Sequence, residues 1–240
     1  MRTLALLGAA VALLLVCLPP ILTDAHRYEF VETVQFDLAG FALPALIVLG
    51  WPLRLVRGET GDRLRLWALR LNEGRRRHPS SWRSLGFAAI DVALLVLWRT
   101  PPLMDALERH RWLLAPEVLS LVVAGVPLWV ELVRCSPLEP RVPHPWRGVV
   151  AALTMWSVWV MAYSIGFSDV SWYVAYHHVA GGLGTSADQE LSTGALFFGA
   201  AAAFVPVVFV DLLAWLRNGD DPDAELRSIV RKERWWGRPD

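Results

Sequence analysis

The sequence predicts an all-α bundle that spans a membrane, about six transmembrane helices with both termini in the cytoplasm. Three observations carry this expectation. Of the 240 residues, 55% are hydrophobic, above the roughly 45–50% of an ordinary soluble domain. The apolar residues are gathered into blocks close to the ~20 residues that a spanning helix needs. The basic residues, 22 Arg and the single Lys232, fall mostly between those blocks and favour alternate connectors.

Taken in order, the first block is Leu4–Leu22. Arg2 gives it the short basic start of a secretory signal, but the apolar run is long and no small-residue cleavage site follows, so it reads as a retained helix. Leu38–Leu53 is the second, with Pro44 and Pro52 inside it. Leu85–Trp98 is short, contains Asp91, and is stopped by Pro101-Pro102, because proline lacks an amide hydrogen and clashes with the preceding turn. Leu113–Val133 is apolar apart from Glu117 and Glu131. Val149–Phe167 carries no charge, and Gly194–Leu216 carries only Asp211. The 54–84 connector holds nine Arg, including Arg75-Arg76-Arg77, and the 168–193 connector holds none. Short cytoplasmic loops collect Arg and Lys. That places 54–84 and the basic tail inside and 168–193 outside. The bundle is therefore expected over 1–217, with a cytoplasmic tail over 218–240. Within the inner loop, Asp62–Asn72 reads as a helix with Leu64, Trp67, Ala68 and Leu71 on one stripe and a stop at Gly74. It could lie on anionic lipid or pack on the bundle.

Formal net charge is zero, which argues against a nucleic-acid partner. No nucleophile elbow, phosphate loop, dinucleotide fingerprint or zinc-protease motif is present, so no enzyme is expected. Cys17 and Cys135 stand alone, without a C-x-x-C. The residues that could carry chemistry are intramembrane acids, which are costly to bury and so suspect: Asp37, Asp91 and Glu117. Glu131 and Asp211 lie nearer the inner helix ends, where Arg134 and Arg217 could pair with them. His26, His110, His177 and His178 fall in outer loops, and His78 and His144 in inner ones. None is inside an expected helix, which argues against a haem held between helices. The outer histidines with Glu32, Asp37 or Met104 could form a metal site, since imidazole suits copper and thioether suits Cu(I). Their spacing matches no ligand motif, and unliganded loop histidines are the plainer reading.

WRTPPLMDALERHRWLLAPEVLSLVVAGVPLWVE, over Trp98–Glu131, resembles a stretch of the CtaG family of cytochrome c oxidase assembly factors. That family has W-H-x-P-P, a short outer loop, then L-E-H-L-S and A-G before an aromatic residue. Trp98, Pro101, Pro102, Glu117, Leu119, Ser120, Ala124, Gly125 and Trp129 match. A second stretch, ETVQFDLAGFALPALIVLGWPLRL, is similar to the family's H-x-x-Q-H run followed by P-x-L-x-V-L-G-x-P, through Gln35, Pro44, Leu46, Val48, Leu49, Gly50, Pro52 and Leu53. Tyr173, Tyr176 and Asp188-Gln189 fit more loosely. The resemblance implies a membrane factor that helps mature a copper-containing oxidase, with the family's histidines as natural ligands. Those are the residues that differ. Glu32 and Phe36 replace the first pair, Arg99 the histidine of W-H, and Val118 that of L-E-H.

Two readings follow from the resemblance. Copper could bind elsewhere, at His110, His177, His178 and Met104 on the same outer face, in a delivery role. Or the chain is a scaffold for membrane subunits of a respiratory oxidase that does not touch metal, docking through small residues such as Gly194, Gly199 and Ala200–Ala203. The alternative of another class is a small transporter or channel that uses Asp37, Asp91 and Glu117 along helices broken by Pro44, Pro127 and Pro206.

Overall fold

The structure is a computed structural model and describes residues 2–50, 58–77, 81–134, 138, 140, 142–168, 171–178 and 183–218. The helices are α1 (Arg2–Cys17), α2 (Pro19–Ala25), α3 (Glu29–Asp37), α4 (Leu43–Gly50), α5 (Glu59–Arg77), α6 (Ser81–Trp98), α7 (Pro101–Arg109), α8 (Leu114–Leu132), α9 (His144–Gly166) and α10 (Thr185–Asn218). Among the described residues, four stretches are long and apolar enough to cross a membrane: Glu29–Gly50, Arg111–Leu132, His144–Gly166 and Thr185–Arg217. Trp82–Trp98 and Pro101–Arg109 make a fifth, bent by 62°. Thr3–Cys17 is a shorter apolar helix. The molecule is an all-α membrane bundle, and its apolar helices follow the six expected blocks in order. The tail, with Trp235-Trp236, lies outside the described residues, as do Cys135, His78 and Gly181-Gly182. Cys17 is a free, exposed thiol.

The span that begins at Glu29 differs most from expectation. It starts nine residues before Leu38, because Glu29 and Glu32, expected in an outer loop, are folded into the bundle along with Asp37. Midway it loosens into a π-helical turn over Leu38–Ala42, where the Leu43 amide bonds to the Leu38 carbonyl five residues back. Pro44 follows directly. A proline cannot donate to the carbonyl four residues earlier and crowds it. The wider turn absorbs that fault without breaking the span. Close packing then depends on glycine. A Cβ at Gly125 of α8 would lie 2.8 Å from Pro44 Cγ, and one at Gly50 would lie 2.6 Å from Leu6 Cδ2 of α1. Around this seam, Trp129 of α8 stacks on Phe204 of α10 with centroids 5.3 Å apart. Phe41 meets the same Phe204 ring edge-on at 5.9 Å. Leu119, Phe198 and Val160 point outward as a lipid-facing surface requires.

Other boundaries also move. α9 begins at His144, five residues ahead of Val149, with Pro145 in its first turn, a position that suits proline. α10 begins at Thr185, nine residues ahead of Gly194. α5 runs through Gly74 to Arg77, so Gly74 is not the expected stop. A glycine inside a helix costs about 1 kcal/mol but does not by itself end it. Its expected stripe also divides, with Ala68 fully buried and Trp67 56% exposed. Adjacent helical residues point about 100° apart, so one can face the bundle while the other flanks it. The side chains of Leu64, Leu71 and Arg75-Arg76-Arg77 lie outside the described set.

Candidate functional site

Arg99 sits at the bend between α6 and α7, where Pro101-Pro102 start a new helix. It is 2% exposed. Its Nη1 donates to Glu32 Oε2 across 2.6 Å. Its guanidinium carbon lies 4.2 Å from the centroid of the Phe36 ring, the arrangement of a cation–π contact. Nη1 also approaches the Met104 sulfur at 3.9 Å. Glu117 and Asp37 lie within electrostatic reach of the same guanidinium. Glu32 and Phe36 share a helical face, four residues apart on α3, so one turn of that helix presents both the anion and the ring to Arg99.

A frame of hydrogen bonds fixes this cluster. Tyr173 OH donates to the Arg99 carbonyl at 3.0 Å, and Tyr176 OH to the Ala25 carbonyl at 3.1 Å. Trp98 Nε1 donates to Ser120 Oγ at 2.9 Å, holding α6 on α8. Gln35 Nε2 donates to the Val16 carbonyl at the end of α1. The Asp188 carboxylate of α10 accepts the Glu29 and Phe30 amides at 2.7 and 3.1 Å. It caps α3 from another helix, satisfying two donors that a helix start leaves open. Gln189 Nε2 donates to the Ile165 carbonyl at the end of α9, and its Oε1 accepts the Trp172 amide. The polar side chains singled out by the resemblance thus act as ties between helices.

Of the expected metal ligands, the structure describes the side chains of Met104 and His110. Met104 is buried with its sulfur turned to Arg99. His110 is exposed at the far end of α7, six residues or about 9 Å along the axis. His177 and His178 lie in a 3-10 turn over Val174–His178, and their side chains are outside the described residues. Among the described residues no three His, Cys, Asp or Glu side chains group as metal ligands would.

The intramembrane acids do not form one file. Glu117 faces the Arg99 cluster. The Asp37 carboxylate packs against the bare Cα of Gly199 on α10, where a Cβ would collide with it. That contact and the full burial of Ala200 turn these two positions of the small-residue stripe inward, while Ala202 stays exposed. Asp91 sits apart, with its Oδ1 3.5 Å from where a Cβ would stand on Gly125. Asp211 pairs with Arg147 at 3.2 Å and with His144 at 2.6 Å, so its partner is on α9 and is not Arg217. Glu131 is buried and engaged.

The sequence reading missed Glu29, the pairing of Glu32 with Arg99, and Arg147. A signal existed for the first two: Glu29 and Glu32 stand three apart, on one face, directly before an apolar run. Arg147 was hidden because the 134–148 segment was read as a loop. At the outer rim, burial and then the nearby Arg111 guanidinium push His26 below the ordinary histidine value, with Glu108 opposing.

The fold and the cluster define a polytopic helical membrane protein whose charged core is closed by an ion pair and aromatic hydroxyls. The chain belongs to the family of cytochrome c oxidase caa3 assembly factors (Caa3_CtaG), whose model matches residues 1–218. No curated protein and no solved structure matches it. The geometry also tests whether these residues fit the copper implied by the resemblance. Of the four positions where that family has histidine, Glu32 and Arg99 are consumed by each other, Phe36 lies under the guanidinium, and Val118 packs with apolar neighbours. A buried cation at the centre of a donor set repels a metal ion, and among the described residues Met104 is the soft donor that reaches it. The residues at these positions do not fit a copper site.

Proposed function

We propose that this protein acts as a scaffold in the assembly of a caa3-type oxidase, holding a membrane subunit in place without passing copper through the Arg99 cluster. One observation carries the reading. The positions that tie helices together keep the family pattern, while the positions of its histidines are filled by the Glu32–Arg99 pair. Trp98, Ser120, Gln35 and Gly125 hold the bundle's shape, and shape is what a docking subunit would read.

The test is oxidase activity in membranes of a deletion strain, with and without added copper. Low activity that copper does not restore, and that the plasmid-borne gene does, is the expected result. Restoration by copper alone would overturn the scaffold reading in favour of delivery. Unchanged activity with a fully metallated oxidase would remove the assembly role for this chain.

A further inference from the structure

A groove of about 1000 Å³ runs along the surface between α3–α4, the end of α8, and α10. Its walls are almost wholly apolar, with Leu38, Phe41, Leu46, Phe198, Val207 and Val210 among them. Phe198 is 76% and Val210 61% exposed, so the groove opens sideways toward lipid. Its α10 lining runs from Ala195 to Asp211. At 1.5 Å per residue that is about 24 Å, longer than the roughly 15 Å of one leaflet of a ~30 Å core.

One end of the groove changes character. Arg134, His144, Arg147 and Asp211 line it there. The first three also line a second pocket of about 320 Å³, completed by Pro140, Val142 and Pro143. The two spaces therefore share a basic junction. His144 is set among three charged groups: its Nε2 lies 3.0 Å from Arg134 Nη2, and its Nδ1 lies 2.6 Å from Asp211 Oδ1 and 2.5 Å from Arg147 Nη2. Arg147 Nη2 is also 3.2 Å from the same carboxylate oxygen. Two guanidinium groups, Arg134 and Arg147, and the Asp211 carboxylate thus line the junction. Arg147 is 4% exposed, and its Nε has no partner among the described residues. The pocket also lies at the start of α9, where the helix dipole is positive and favours anions.

We propose that the groove and pocket form a single site for an anionic phospholipid, with its phosphate at Arg134 and Arg147 and an acyl chain along Phe41, Phe198 and Val210. Guanidinium forks suit phosphate oxygens, and basic pockets between helices at the cytoplasmic face hold anionic headgroups. The expected orientation puts Arg134 and His144 on that side. A free phosphate would use only the polar pocket, and a partner helix would use only the groove. A lipid uses both, and their shared basic junction favours it.

The test uses the purified full chain in detergent, loaded with dioleoylphosphatidylglycerol or dioleoylphosphatidylcholine and analysed by native mass spectrometry. The two probes have identical tails. One phosphatidylglycerol per chain should survive a wash that strips phosphatidylcholine. Arg134→Gln, at an exposed position, should weaken its retention about fivefold or more. Ala202→Phe, filling the groove from its exposed side, should weaken it comparably while leaving Arg134 intact. Equal retention of both lipids would overturn the proposal. So would displacement of phosphatidylglycerol by millimolar inorganic phosphate, or wild-type retention in both variants.

Discussion

Removing one member of the Glu32–Arg99 pair should destabilise the protein far more than removing both. The side chains are 5% and 1% exposed, and the bond is 2.6 Å. Breaking a buried pair from one side leaves an uncompensated charge and costs about 3–5 kcal/mol, while replacing both by apolar groups of similar volume is often neutral. For a chain of this size each kcal/mol shifts the melting temperature by about 2–4 °C. Arg99→Met or Glu32→Gln alone should therefore lower it by roughly 6–20 °C. The double variant Glu32→Met/Arg99→Met should regain most of that loss. The assay is thermal unfolding in one detergent, followed by loss of the monodisperse peak in size-exclusion chromatography. Single variants that each melt within about 2 °C of wild type would refute the idea that this pair closes the core. A double variant as unstable as the sum of the singles would do the same, because members of a real pair are not additive.

Three further outcomes follow. Asp188→Ala removes the acceptor of the Glu29 and Phe30 amides and should cost about 0.5–2 kcal/mol, with hydrogen exchange rising first at the start of α3. Gly125→Ala places a methyl 2.8 Å from the rigid Pro44 ring and should cost about 1–3 kcal/mol by overpacking, measured in the same melting assay. Burial and Arg111 hold His26 below its ordinary value of 6.5. The unfolded chain therefore binds more protons just below that pH, so the stability His26 contributes is complete above it and declines as pH falls. His26→Gln should flatten the fall in melting temperature between about pH 7 and 5.5; an unchanged slope would sink that assignment.

The helical blocks were legible because spanning length and Arg placement are read directly from composition along the chain. Pro101-Pro102 marked the bend at Arg99 for a reason internal to proline. What the sequence hid was partnership. Glu29 and Glu32 looked like an outer loop because nothing local shows that Asp188 caps the start of the helix or that Arg99 lies opposite Glu32. Both partners are far away in the chain. Arg147 was misplaced likewise: its neutralising partner, Asp211, is 64 positions on. Gly199 read as part of a docking stripe because nothing local says that Asp37 fills the space above it. The loss of the family's histidines was visible at each position singly. That two of the replacements meet as an ion pair was not.

The central claim is that this bundle keeps a family scaffold while its histidine positions have become a charged, metal-free core. It is tested most directly by titrating the purified protein with Cu(I) against a chromogenic chelator. The account predicts that wild type takes no copper from the chelator and that Glu32→Gln changes nothing. One copper held per chain, and lost in Glu32→Gln, would contradict it.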